Sequence, residues 1–478
     1  METWSARNHS LAVWELTLAC NLRCSHCGSA AGKPRPNELS TKEALETVQR
    51  LKERNIKEIT LIGGEATIRQ DWMTISRAIV EAGIQLTFQT GGYHIDQEVA
   101  NQMASVGTRA VGVSIDGLAS THNKLRGRED SFENALTALK NLKQAGIPQI
   151  GVYSQINRVN FHEMPELFNI LVEHNVQGWQ ISPTIPMGSA ISDEMLCFQP
   201  CDFEALHELA AILSVGGLLH GISVTPTNAM GYFAPYERLI NSVGPQLRHY
   251  PSCPAGNGVL GIEADGTVKG CPSLPTELFA TGSILEDGLE NLDEAVKKAK
   301  LSNPQKESNI YRKTVHGFCS GCPFSLSCKA GCPWATTSIT GERGDNPYCM
   351  FRSIVNNASN NPEFIKRTST GTLKPFALGT YKVIQPGNKA ADEKEHFPKP
   401  INIDGILWPT RLYDIATSFK NQRTTVRKQT LELYQNFKAF PMHKGDATLK
   451  NLEKLEAACF PECAHNALAH ARAHSSQR

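Results

Sequence analysis

The sequence predicts an α/β fold: a partial (β/α)6 TIM-like barrel, then a small Cys-rich domain, then a mainly helical or irregular C-terminal extension. Three observations carry this. From about residue 11 to 185, short apolar runs of β type alternate with amphipathic stretches, the pattern of repeated βα units around a parallel sheet. Glycines follow several of those runs (Gly63 and Gly64, Gly91 and Gly92, Gly117), at the strand ends where barrel-type proteins build their sites. Residues from about 245 to 352 are instead rich in Cys, Gly and Pro, which suits a region held by metal more than by a core.

The elements follow in order. Strands are expected at 12–18, 58–62, 85–89, 110–115, 149–156 and 176–181. The helix expected at 41–54 has Ser40 as its N-cap and Glu43 three residues on, the spacing of a capping box. Further helices are expected near 71–82, 96–106, 131–145 and 163–175. After residue 185 the alternation fades, 203–219 reads as helix, and a last helical stretch runs from about 413 to 439. The domains expected are 1–185 for the barrel, 186–244 as a bridging helical segment, 245–352 for the Cys-rich domain and 353–478 for the extension.

Composition narrows the function. The 478 residues carry 48 Lys+Arg against 47 Asp+Glu, a net charge of +1, which argues against a chain-wide nucleic-acid footprint. No apolar run approaches the ~18 residues that span a bilayer, and the first ten residues lack an export signal. A cytoplasmic protein without membrane or nucleic-acid partners is expected. Over residues 363–478 the count is 18 Lys/Arg against 11 Asp/Glu, or +7. Such an excess is a solvated surface or a dock for an acidic leader peptide.

The 14 cysteines are the most informative residues. In a reducing compartment, clustered cysteines point to metal rather than disulfides. Cys20-x3-Cys24-x2-Cys27 directly follows the first strand. Three thiolates so close can wrap one face of an iron–sulfur cluster and leave its fourth iron open, as catalysis requires. The alternative is a zinc site closed by His26. Cys197 and Cys201 read as packing. Cys459, Cys463, His465, His470 and His474 form a terminal tract whose spacing permits metal but does not demand it.

The segment from Trp14 to Gly28, WELTLACNLRCSHCG, resembles the cluster-binding loop of the radical SAM superfamily. Gly63-Gly64-Glu65-Ala66 resembles that family's GGEP motif, with Ala66 where Pro is usual. Ser114-Ile115-Asp116-Gly117 ends the fourth strand, where similar proteins contact a ribose, and Arg126 follows at the distance where relatives hold a carboxylate. The resemblance covers about residues 12–185. It implies that Cys20, Cys24 and Cys27 hold a [4Fe–4S] cluster which binds and reductively cleaves S-adenosylmethionine to a 5′-deoxyadenosyl radical. It implies SAM contacts at His26 (beside the adenine), Gly63, Gly64, Glu65 (the amino group), Ser114, Asp116 and Arg126 (the carboxylate).

The distal cysteines are Cys253-x12-Gly266-x4-Cys271, then Cys319-x2-Cys322-x5-Cys328-x3-Cys332-x16-Cys349. Seven is odd for pairwise bridges and too many for one zinc. The pattern resembles the SPASM domain of peptide-modifying radical SAM enzymes, which binds two auxiliary [4Fe–4S] clusters. By that resemblance Cys253, Cys271 and Cys332 hold the nearer cluster, and Cys319, Cys322, Cys328 and Cys349 the other. The nearer cluster then has three cysteines, its fourth position being open or filled by His249 or substrate. Sulfatase-maturating relatives carry an Asp after the residue matching Cys271, but here it is Pro272.

The function expected is therefore oxidative modification of a ribosomally made peptide or protein, by crosslink, thioether or related maturation. The rivals are a small-molecule or tetrapyrrole (haem-pathway) enzyme and a non-catalytic iron–sulfur carrier or scaffold. A carrier would not need Gly64, Glu65, Ser114 and Arg126 together. Expected partners are a peptide or small protein substrate, an external electron donor of flavodoxin or ferredoxin type, and a separate leader-peptide-binding protein or the basic tail in that role.

Overall fold

Strands of β-branched and large apolar residues, each followed by an amphipathic helix, build one sheet. In a computed structural model, residues 11–231, 235–240, 253–256, 258–285, 315–371, 373–386 and 398–438 are described. Seven parallel strands lie side by side in chain order: β1 (Leu11–Thr17), β2 (Glu58–Gly63), β3 (Gln85–Thr90), β4 (Ala110–Ser114), β5 (Gln149–Ile156), β6 (Gly178–Pro183) and β7 (Ser223–Pro226). On the other side of β1, β8 (Val259–Ile262) pairs parallel with Leu11 opposite Val259, and β9 (Val268–Lys269) adds antiparallel. The sheet order β7-β6-β5-β4-β3-β2-β1-β8-β9 is open, so the barrel is partial, as expected.

Helices α1 (Thr41–Glu53), α2 (Trp72–Glu81), α3 (Gln97–Ser105), α4 (Ala119–Arg126), α5 (Ser131–Gln144) and α6 (Met164–Glu173) connect successive strands. The capping box at Ser40 and Glu43 is present. Parallel crossovers share one hand, so neighbouring strands in chain order place their helices on one face. That face buries Ala12, Trp14, Leu16, Ile59, Leu61, Leu86, Phe88, Val111, Val113, Val152, Trp179 and Ile181 in one core with the helices. Alternation puts Thr60, Thr87, Gln89, Ser114, Tyr153, Gln155 and Gln180 on the opposite, inner face. No Lys or Arg lies within β1–β7 at all.

The expected strands and helices lie within three residues of the observed ones. Four features went unexpected. Helix α4, the pair β8–β9, strand β7 and a hairpin in the extension have no strong periodicity. The hairpin joins β10 (Phe364–Ser369) to β11 (Thr380–Ile384) antiparallel. The extension is thus not only helical or irregular. Its long helix α10 (Thr410–Lys438) packs on α7 (Phe203–His220) through Arg423 on Glu208 at 2.8 Å and Arg427 on Glu204 at 2.6 Å. Between Ser325–Cys328 and the hairpin lie α8 (Pro333–Thr340) and α9 (Met350–Ala358). The tip of the hairpin reaches the first cysteine loop: the Phe376 N–H donates to Gly28 O at 3.2 Å, and Ala377 O accepts from Gly188 N–H at 2.8 Å. The Phe376 ring also lies 3.6 Å from the buried Lys269 Nζ.

Candidate active site

The loop between β1 and α1 carries Cys20, Cys24 and Cys27 at the C-terminal end of the sheet. Backbone bonds fix it. Cys20 N–H donates to Gly32 O at 3.3 Å, and Gly32 N–H to Leu18 O at 3.0 Å. The end of α4 holds the middle of the loop. Its last carbonyls have no helical partner, and Leu125 O and Arg126 O accept from Ser25 N–H at 2.9 Å and Arg23 N–H at 3.1 Å. Gly127 ends α4 at φ +70°, where an added Cβ would stand 2.7 Å from Arg23 O. Burial pushes the Cys20 thiol up to about 11 and the Cys24 thiol up to about 12. Cys24 also feels both other thiols of the loop and Cys20 feels Cys27, so the fold gathers all three. Thiols this buried become thiolates only with a positive partner such as iron.

Strand β2 ends against the same loop. Gly64 N–H donates to Thr17 O and Glu65 N–H to Ala19 O, both at 2.8 Å. A Cβ on Gly64 would lie 2.1 Å from Ala19 O, so only glycine fits. The Glu65 carboxylate is buried and accepts from Thr90 Oγ1 at 2.6 Å, Gly91 N–H at 3.0 Å and Thr67 Oγ1 at 2.9 Å. Burial pushes its carboxyl up, and no cation pairs with it among the described residues.

At the end of β4, Asp116 is wholly buried. One of its oxygens, Oδ2, meets Arg126 Nε at 2.6 Å and His26 Nε2 at 3.2 Å, and the other accepts from Gln155 N–H at 2.9 Å. Burial opposes the charge, but Arg126 and then His26 hold the carboxyl well below the usual range. Arg126 Nη1 lies 3.7 Å from Cys24 Sγ. Ser114 Oγ accepts from Gln89 Nε2 at 3.3 Å. His26, Asp116 and Arg126, read separately in the sequence, are one linked group.

The distal cysteines fall into two sets. The Cys253 thiol donates to Cys332, and Cys271 feels Cys332. The Cys328 thiol feels Cys349, Cys319 and Cys322. Among the described residues no three donors gather tightly enough for a single metal ion. A buried ladder that sequence reasoning missed ties β1 to the Cys271 loop. Arg35 bridges Glu15 at 2.7 Å and Glu263 at 3.3 Å, Glu263 meets Lys269 Nζ at 2.6 Å, and Lys269 donates to Leu274 O at 2.7 Å and Pro272 O at 3.1 Å. An acid at each of the apolar strands β1 and β8, Glu15 and Glu263, was its only signal. Cys197 and Cys201 are buried apart from both sets. His249 and the Cys459–His474 tract lie outside the described residues.

Residues 14–171 match the family model of the radical SAM superfamily. That segment is a radical SAM domain. This radical SAM enzyme is similar to the mycofactocin maturase MftC of Mycobacterium ulcerans, with 29% identity over 71% of this chain and 87% of that protein. It is also similar to the AdoMet-dependent heme synthase of Methanosarcina barkeri, with 27% identity over 72% of this chain and 96% of that protein. In fold it is similar to Streptococcus suis SuiB, solved bound to precursor peptide SuiA, at a TM-score of 0.52 and 15% identity over 71% of this chain and 74% of that one. A radical SAM domain implies S-adenosylmethionine and a [4Fe–4S] cluster. The residues fit them: among the described residues, the buried Glu65 carboxylate lacks a cation and the buried His26 Nδ1 lacks a partner. No helix among the described residues is long and apolar enough to cross a membrane.

Proposed function

We propose that this radical SAM enzyme oxidatively modifies a ribosomally made peptide or small protein, forming a crosslink, thioether or related linkage. The inner face of the sheet carries the reading. Its hydroxyls and amides, from Thr60 and Thr87 to Tyr153 and Gln180, match the donors and acceptors of a peptide backbone. A tetrapyrrole is broad, apolar and carboxylated. It would call for apolar walls and cationic anchors, and β1–β7 supply no Lys or Arg. The similarity to a maturase agrees with this reading.

In this reading Cys20, Cys24 and Cys27 hold the cluster that binds S-adenosylmethionine, whose reductive cleavage supplies the radical chemistry. Glu65 takes the amino group, Arg126 the carboxylate, and Ser114 and His26 flank the nucleoside. Gly63 and Gly64 let β2 approach, and Asp116 aims Arg126 and His26. Cys253, Cys271 and Cys332 hold one auxiliary [4Fe–4S] cluster and Cys319, Cys322, Cys328 and Cys349 a second. A flavodoxin- or ferredoxin-type donor supplies electrons in the cytoplasm, and a separate protein presents the leader.

The test is anaerobic reaction with S-adenosylmethionine, reductant and a peptide encoded beside this gene, read by mass spectrometry. A loss of two hydrogens from the peptide is expected. An unaltered peptide, with an iron porphyrin converted instead, overturns the reading.

A further inference from the structure

Cationic and N–H groups act on the thiols of Cys253, Cys271 and Cys332, one of the cations, Lys269, being itself paired with Glu263 at 2.6 Å. Cys332 is the N-cap of α8, and the backbone N–H groups of Ala335 and Trp334, in the first turn of that helix, act on its sulfur. The Lys269 ammonium acts on Cys271, and the Arg343 guanidinium on Cys253 and Cys332. Trp334 packs with Cys253 and Cys271 against Ala255, Leu274 and Phe279. Its indole nitrogen is buried, and no acceptor among the described residues meets it. Indole nitrogen is only a donor, so a buried one without an acceptor is costly. An acceptor bound between these thiols would remove that cost.

The other set differs. Around Cys319, Cys322, Cys328 and Cys349 one cation meets two carboxylates: Arg352 pairs with Asp345 at 2.8 Å and Glu363 at 2.6 Å, and Asp345 also accepts from Cys319 N–H at 3.2 Å.

We propose that the Trp334 indole N–H donates a hydrogen bond to a sulfur of the cluster held by Cys253, Cys271 and Cys332, and so raises its reduction potential. A donor on a cluster sulfur stabilises the reduced form, which carries one more negative charge. Trp334 is a positioning residue for an electron, not a group that touches substrate. The proposal rests on reading these thiols as cluster ligands.

The experiment uses the full chain, reconstituted anaerobically with iron and sulfide, and titrates both auxiliary clusters potentiometrically by electron paramagnetic resonance. In Trp334→Phe the reduced-to-oxidised ratio of the three-cysteine cluster at fixed potential is expected to fall about tenfold, about 59 mV for one electron. The four-cysteine cluster keeps its midpoint. Unsubstituted protein with tryptophan 15N-labelled at the indole nitrogen alone gives a measurement free of any folding defect. Electron–nuclear double resonance of the reduced cluster is expected to show a 15N coupling, which only an indole can supply, and the coupling of its exchangeable proton. Unmoved midpoints, an equal shift in both clusters, or no such couplings overturn the proposal. An iron count too low for auxiliary clusters overturns both it and the cluster reading, whereas a full count without couplings overturns Trp334 alone.

Discussion

Asp116 shows how one buried carboxylate organises a site. It is charged because Arg126 and His26 sit on one of its oxygens, and in return it fixes where both point. Arg126→Ala is expected to weaken S-adenosylmethionine binding by about 1–3 kcal/mol, since a charge-assisted contact is lost. Equilibrium binding to the reconstituted protein checks it, and unchanged affinity returns Arg126 to a purely structural role. Another residue responds to acid. Burial lowers His207 to about 4, and its Nε2–H donates to Met230 O. The unfolded chain takes up that proton below ~6.5 and the folded chain resists until near 4, so stability falls as pH drops between them. Urea midpoints are expected to decline from pH 7 to pH 5, and less steeply in His207→Gln. Equal slopes would count against the buried neutral imidazole.

Elements meet at the site through backbone as well as side chains. Strand β2 runs its last residues into the cysteine loop so closely that Gly64→Ala must push the loop aside. This variant is expected to lose S-adenosylmethionine cleavage while the auxiliary cysteines keep their iron, a split read by product assay and iron analysis together. The cysteines were legible because their spacing stands out locally, and Gly63, Gly64 and Arg126 through their resemblance to the motifs of radical SAM proteins. Helix α4 was not, because ASTHNKLR has no apolar period, yet its final carbonyls hold Arg23 and Ser25. Strands β8 and β9 are four and two residues long, and β8 finds its partner at Leu11 from Val259. Pairings across such separations leave no periodic trace, and neither does the junction of His26 with Asp116. The inner-face residues were visible as alternation, but which face lacked helices emerged only from strand order.

At the scale of the molecule, the two cysteine regions share one sheet, since β1 leads into the first loop and its neighbour β8 leads toward Cys271. Anaerobic reconstitution is expected to give about twelve irons per chain, four for each cluster. Changing Cys20, Cys24 and Cys27 together to Ala should remove about a third of them. Zinc in the distal sites would refute the two-cluster reading. The hairpin tip that rests on Gly28 and Lys269 also carries a consequence for biosynthesis. A ribosome delivers Phe376 long after Cys27, on the order of 20 to 70 seconds later at the usual speed of elongation. Throughout that interval the nascent first loop stands without its last cover, within reach of the cell's cluster-delivery factors. Once the hairpin docks, entry narrows. A chain loaded before release and one loaded after it therefore face different routes to the same three thiols.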